Sequence, residues 1–340
     1  MNRTKKTRWI LTIAATTLVS GLCIGALAHV ARRSESQESL PLTESHLKWV
    51  PSSATLAGHV NLRALAESPL FEAWRLREEA RTGLEALSEL RRRTGIDPLT
   101  DLDTATFSVV ESAQASPNSP PEHWGVSVRG AIDGTHLLRE LRKHGEVVSG
   151  EYEGIAVHEF TDRRGRELAF AVASADTLLV GGPDYLRQML DAGAGKEPSV
   201  GLETLLEGID GPSLRNETFW VVGKASKTIG SLLSTGPGSD LPSIRSFALS
   251  GRIARDLQLK AQGKASDAVA AQQLADVARG MAALGRLREG MDPTFLSVLE
   301  SVSIAQLDDR IEISVTVPNA AMERLLESNL EKAHPDGNLR

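Results

Sequence analysis

Apolar and polar residues alternate most cleanly near the C-terminus. Ile311, Ile313, Val315 and Val317 fall on one side of an extended chain, and Glu312, Ser314 and Thr316 on the other. Leu257, Leu259 and Ala261 oppose Gln258, Lys260 and Gln262 in the same way. A period of two with one apolar side predicts strands buried on one face and wet on the other, which suits antiparallel pairing. Asp308-Asp309 and Ala254-Arg255-Asp256 read as hairpin turns beside them. Further strands are predicted over Thr104–Val110, Trp124–Arg129 and Ser301–Gln306. Three or four more are predicted between Glu146 and Gly181, with turns at Gly150, Arg163-Arg164-Gly165 and Ala175-Asp176.

Spacings of three and four mark the helices. One is predicted from about Pro69 to Thr94, with Ser68 as N-cap and Pro69 in the first turn. Leu70, Trp74, Leu84, Leu87 and Leu90 form most of its stripe, and Arg77 interrupts it. A second is predicted from about Ser266 to Glu289, where Val269, Leu274, Val277, Met281, Leu284 and Leu287 make the apolar stripe expected to face the core. Shorter helices are predicted over 134–143, 183–190 and 319–330.

The order of elements suggests duplication. Gly95-Ile96-Asp97-Pro98 and Gly290-Met291-Asp292-Pro293 each follow a long helix, with Gly placed to cap it and Pro to block continuation. Strand, strand and helix follow in both places. The fold class read from this is α+β, with two similar halves at 47–212 and 213–332. Each is expected to be a mainly antiparallel sheet with helices packed on one face. Two such halves are expected to leave a groove between them, a usual place for a ligand.

The first 33 residues have another character. Arg3, Lys5, Lys6 and Arg8 precede an uncharged apolar run of 20 residues from Trp9 to Ala28. At ~1.5 Å per residue this helix is about 30 Å long, enough to cross a hydrocarbon core. The leading cations orient the N-terminus toward the cytoplasm, and Trp9 stands where an interfacial aromatic anchor belongs. Ala26-Leu27-Ala28 also fits a signal-peptidase site, so cleavage near Ala28 is the alternative; the length of the run favours an uncleaved anchor. Cys23 is preceded by Leu22 rather than a small residue, which disfavours acylation, and it reads as a lipid-facing apolar residue. The expected location is a bacterial inner membrane, single-pass, with the bulk in the periplasm, or the periplasm itself after cleavage.

Charge changes the picture of partners. The chain of 340 residues carries net −6, and residues 1–33 hold six basic and no acidic residues, which leaves the remainder at net −12. That opposes binding to nucleic acid. Cys23 is the single cysteine, so the remainder forms no disulfide and relies on an ordinary core. Residues 1–31 are read as signal anchor or signal peptide, 32–46 as a Ser/Glu-rich flexible tether, and 333–340 as a frayed tail. Ser112–His123 and Ser234–Ser243 read as surface loops rich in Pro or Gly.

The N-terminal anchor, Pro51-Ser52-Ser53-Ala54-Thr55, Gly95-Ile96-Asp97-Pro98 and the duplicated strand-helix pattern resemble bacterial membrane-anchored envelope proteins with a tandem α+β exported region. The resemblance spans most of the chain after the anchor. It implies a location and a type of fold, and its motifs are structural, so no catalytic residue is carried over.

Chemical motifs fail on inspection. Ser45-His46-Leu47-Lys48 matches Ser-x-x-Lys without the companion motifs that reaction needs. Gly193-Ala194-Gly195-Lys196 lacks the upstream Gly and the following Ser/Thr of a phosphate loop, and Glu197 would repel phosphate; a helix end and turn is the better reading. The eight histidines form no metal-binding spacing, so neither a metal nor a cofactor is expected. Arg91-Arg92-Arg93 complements the carbonyl end of a helix. The function expected is non-catalytic: a binding or scaffold domain tethered to the inner membrane through its N-terminal helix, with an envelope protein or an apolar ligand as partner. A carrier of lipid or another apolar ligand is one alternative. A hydrolase whose site forms only in the fold is the other, with His123, His136, His144 and His158 as candidates.

Overall fold

The computed structural model describes residues 47–68, 71–72, 75, 80–110, 123–162, 165, 167–201, 205–206, 209, 217–224, 244–287 and 293–321. Trp9, Cys23, Ala28, the cations Arg3, Lys5, Lys6 and Arg8, the tether, the tail, Gly290 and Asp292 lie outside these residues. So do 112–122 and 234–243 of the two surface loops. Among the described residues no helix is long and apolar enough to cross a membrane.

Among the described residues twelve strands form one sheet. They are β1 (Leu56–Asn61), β2 (Leu102–Val110), β3 (His123–Gly130), β4 (Gly145–Tyr152), β5 (Ile155–Asp162), β6 (Glu167–Ser174), β7 (Thr177–Gly181), β8 (Phe219–Lys224), β9 (Ile244–Ile253), β10 (Leu257–Ala265), β11 (Ser303–Leu307) and β12 (Arg310–Val317). Their order across the sheet is β11-β12-β10-β9-β8-β1-β2-β3-β7-β6-β5-β4, with β11 and β4 at the edges. Every pair is antiparallel. Among the described residues the complete helices are α1 (Leu62–Ala66), α2 (Ala80–Thr94), α3 (Gly134–Leu141), α4 (Pro183–Gly193), α5 (Ala268–Arg286) and α6 (Pro293–Ser301).

The chain is thus α+β with a mainly antiparallel sheet. β1 pairs with β8 from Leu56↔Gly223 to Val60↔Phe219, so strands on both sides of residue 212 belong to one sheet. Trp220 of β8 is fully buried at this seam and stacks on His59 of β1, their ring centres 5.9 Å apart. His59 Nδ1 lies 2.9 Å from Thr106 Oγ1 of β2.

Helices cover both faces of the sheet, not one. On the first face α4 places Tyr185, Leu186, Met189 and Leu190 against Val157, Ala169, Ala171 and Leu179. On the second, Leu62 of α1 and Leu137 of α3 pack with Val128, Phe160, Phe170 and Leu178. Successive residues such as Leu178 and Leu179 therefore enter different clusters. A nearly continuous apolar run, rather than an alternating one, is the sign of a strand covered on both sides. Gly193 ends α4 against Trp49, where a Cβ would run into the indole. Tyr185 donates its hydroxyl proton to Ser108 Oγ at 2.9 Å, and burial lifts its phenol to about 12.

Several boundaries differ from the sequence expectation. Gly150 lies inside β4, and the turn to β5 is Glu153-Gly154, both at positive φ. Ser301 ends α6, so the following strand starts at Ser303. Ser68 caps as expected, its Oγ accepting from the Phe71 N–H at 3.2 Å. Gly95 has φ +73 and donates its N–H to Arg91 O at 2.7 Å, closing the helix end, and Asp97 then accepts from the Leu99 N–H at 3.0 Å. Pro293, by contrast, opens α6. After Gly95-Ile96-Asp97-Pro98 the chain enters β2, which is flanked by two strands, whereas β11 is an edge. The first strands that follow the two tetrapeptides therefore hold different places in the sheet.

The turn at Ala175-Asp176 is held by Arg129, whose Nη2 donates to Asp176 Oδ2 at 2.7 Å, with Ser174 and Thr177 hydroxyls donating to Oδ1. Arg129 first, then the two hydroxyls, pull the Asp176 carboxyl from its ordinary 3.8 to about 2. A depressed carboxyl contributes stability that is complete above its unfolded value and is lost as pH falls through the folded one. Asp176→Asn is expected to be less stable than the parent at pH 6, by no more than about 1 kcal/mol because the pair is half-exposed. Urea titrations should show that gap closing between pH 4 and 2; a gap unchanged with pH would refute the assignment.

Candidate functional site

The most unusual surface of the fold is the outer side of α5. Asp267 caps this helix, accepting from the Ala270 N–H at 2.8 Å, and that bond holds its carboxyl below the ordinary range. At 3.6 residues per turn, Ala271, Leu274, Ala275, Ala278, Ala282 and Gly285 share one side. That side rests on the sheet and on α6: Ala271 and Ala275 are fully buried, and Leu274 packs on Ala265. Small residues let the helix axis approach closely. At Gly285 an added Cβ would stand 3.1 Å from Leu299 of α6.

The large side chains point the other way. Val269, Val277, Met281, Leu284 and Leu287 are exposed by between 45% and 77%. The stripe expected in the core is therefore turned outward, with Leu274 alone of the six packed inward. Gln273 and Gly280 complete this side, and no atom lies within 4 Å of where a Gly280 Cβ would be. The charges of α5 sit on its flank. Asp276 accepts from Gln272 Nε2 at 2.8 Å and from Arg279 Nη1 at 2.9 Å, which hold its carboxyl below the ordinary range, and Arg286 donates to Leu299 O at 2.7 Å. An arc of roughly 120° is left without charge. Single exposed apolar side chains are ordinary, but a contiguous set on one helix marks an interaction surface.

The histidines proposed for a hydrolase are spread over the fold. His123 opens β3, His136 lies on α3 with Arg139 Nη2 at 3.0 Å, and His144 is in the turn before β4. His158 on β5 comes nearest to a nucleophile-base pair, its Nδ1 lying 2.9 Å from Ser149 Oγ. Such a base needs a third group to orient it, normally a carboxylate. Burial first, and then Arg142, push the His158 imidazole below its ordinary value, and its ring lies against Phe170. Among the described residues no three His, Cys, Asp or Glu side chains gather as a metal site.

Three acidic side chains near sheet turns have structural partners. Asp101 accepts from the Asp97 N–H at 2.7 Å, Asp103 pairs with Arg63, and Glu153 pairs with Lys196 at 2.5 Å. Gly193-Ala194-Gly195-Lys196 is the end of α4 and a turn, with Gly195 at φ +73.

No family model and no curated protein matches the chain. Among solved structures, crystal form I of TP0453 is similar at 12% identity and TM-score 0.44, over 84% of this chain and 97% of that one. Crystal form IV of TP0453 is similar at 11% identity and TM-score 0.46, over 83% and 95% of the two chains.

Proposed function

We propose that this chain is an exported, non-catalytic envelope protein, held at a bacterial inner membrane by residues 1–31 and acting by binding. The observation that carries the reading is the uncharged outer face of α5, five large apolar side chains on one helix with no part of the described fold upon them. A surface of this kind has a role in contact, not in bond making. The basic cluster followed by 20 uncharged apolar residues supports the address.

Two related halves belong to the same proposal. Outward from the β1–β8 pair the strands read β1-β2-β3-β7-β6-β5-β4 on one side and β8-β9-β10-β12-β11 on the other, so the first five positions correspond and β5 and β4 extend the first side. Both runs go three strands outward, pass through a helical segment and come back as a hairpin beside the third strand, β7–β6 or β12–β11, with β4 and β5 inserted before the hairpin on the first side. A duplication accounts for that, with β1 and β8 as equivalent strands; the Gly-x-Asp-Pro repeats do not align under it.

Topology is tested with a single cysteine. In a Cys23→Ala background, Glu151→Cys places a thiol at an exposed position on β4. A membrane-impermeant maleimide is expected to label it in intact spheroplasts. Labelling only after lysis would place the domain in the cytoplasm and remove the reading.

A further inference from the structure

We propose that the outer face of α5 is a second membrane contact, lying in the interface of the bilayer to which the chain is tethered; this rests on the anchored reading above. The argument starts from the pattern of side chains. Interfacial helices combine a continuous apolar side with polar residues at its margins. Val269, Val277, Met281, Leu284 and Leu287 supply the apolar side. Asp276 stands at one margin, with Gln272 and Arg279, which donate to it, beyond, while Arg286 is turned toward α6 and donates to Leu299 O.

The tether makes the bilayer the favoured occupant. A 15-residue polar segment, 32–46, joins the apolar N-terminal run to the folded part at Leu47. Such a linker has an r.m.s. span of about 20 Å and reaches about 50 Å when extended. Leu47 packs with Trp220 and Ala248 on the first face, whereas α5 lies on the second. The linker must therefore pass around a sheet and a helix layer, roughly 20 Å of protein, which its extended reach allows. A surface held this close is present at an effective concentration in the millimolar range, so a weak contact suffices. A second copy of the chain has no such advantage. Five side chains also cover a few hundred Å², less than the ~800 Å² per partner of a stable protein interface.

The contact is apolar, not electrostatic. The remainder after residue 33 carries net −12, which disfavours attraction to anionic lipid. Binding of the face is therefore expected with purely zwitterionic lipid and to be insensitive to salt.

The test uses the full chain with Cys23→Ala, reconstituted into phosphatidylcholine vesicles. An environment-sensitive dye is placed on Leu284→Cys or, as a control on the flank of the same helix, on Gln272→Cys. Vesicles with brominated acyl chains are expected to quench the dye at 284 at least about twofold and to leave the dye at 272 unchanged, equally with and without anionic lipid. Equal quenching at both sites, or at neither, would overturn the proposal. So would a dye at 284 shielded from aqueous iodide yet untouched by brominated lipid, since a protein surface would then cover the helix. Quenching seen only with anionic lipid would overturn its apolar basis. Flotation of the same samples reads the N-terminal anchor separately: a chain that fails to float removes the tether without deciding what α5 touches, and the dye at 284 still reports that.

Discussion

Trp220→Ala is expected to destabilise the fold by about 3–5 kcal/mol, the range for removing a large aromatic from a packed core. The indole is fully buried, in a cluster that also holds Leu47, Val50, Ala54, Ala57, Leu206 and Val222. It joins Leu47 and Val50, the residues Val200, Leu205 and Ile209, and the β1–β8 seam. Among the described residues its Nε1 has no hydrogen-bond partner, so the expected loss is one of packing. Trp220→Phe keeps most of the volume and is expected to cost less than half as much. Urea unfolding followed by circular dichroism separates the two. A loss below about 1 kcal/mol for alanine would mean the seam tolerates a cavity that packed interiors do not.

Leu186→Ala is expected to cost about 2–5 kcal/mol. Leu186 is fully buried under α4, among Val157, Ala169, Ala171, Leu179 and Met189. The prediction tests whether the helix on the first face belongs to the cooperative core. Gly182 supplies its cap position without a side-chain bond, so α4 depends on packing. Hydrogen exchange offers a second view: amides of β6 and β7 should lose protection together with those of α4. Loss confined to α4 would make it a separable layer.

The strands with strict alternation were the most legible part of the chain. β10 and β12 follow the predicted sides residue by residue, and Asp308-Asp309 and Ala254-Arg255-Asp256 are their turns. β1, written Leu-Ala-Gly-His-Val-Asn, gave little signal, because Gly58 and the buried polar residues His59 and Asn61 break the alternation. Gly58 is there because Phe107 of β2 lies over it, a cross-strand contact between residues about fifty positions apart. The turn misplaced at Gly150 follows from the same limit. Glycine fits a turn or a strand, and pairing with Val157 on β5 decides between them.

The candidate surface was half legible. Spacing in 266–289 announced an amphipathic helix, and the residues named for its stripe are those on α5. Periodicity reports that large apolar side chains share a side; it does not report which side meets the sheet. Ala271, Ala275, Ala278, Ala282 and Gly285 form an equally regular row, and close approach to β10–β12 gave that row the core position. Alanine-rich rows carry little weight on a hydropathy pattern, which is why the outward stripe looked like the inward one.

The central position of β1 sets the order in which the molecule becomes complete during synthesis. At about 5–20 residues per second, β8 follows its partner β1 by roughly 160 residues, a wait of about 8–30 s. During that time β2 can pair with one side of β1 while the other side presents unmatched N–H and C=O groups beneath a place that Trp220 has yet to fill. The middle of the finished sheet is thus an edge for much of its early life, and the interval before β8 arrives is when the nascent chain has most need of protection from pairing with its neighbours.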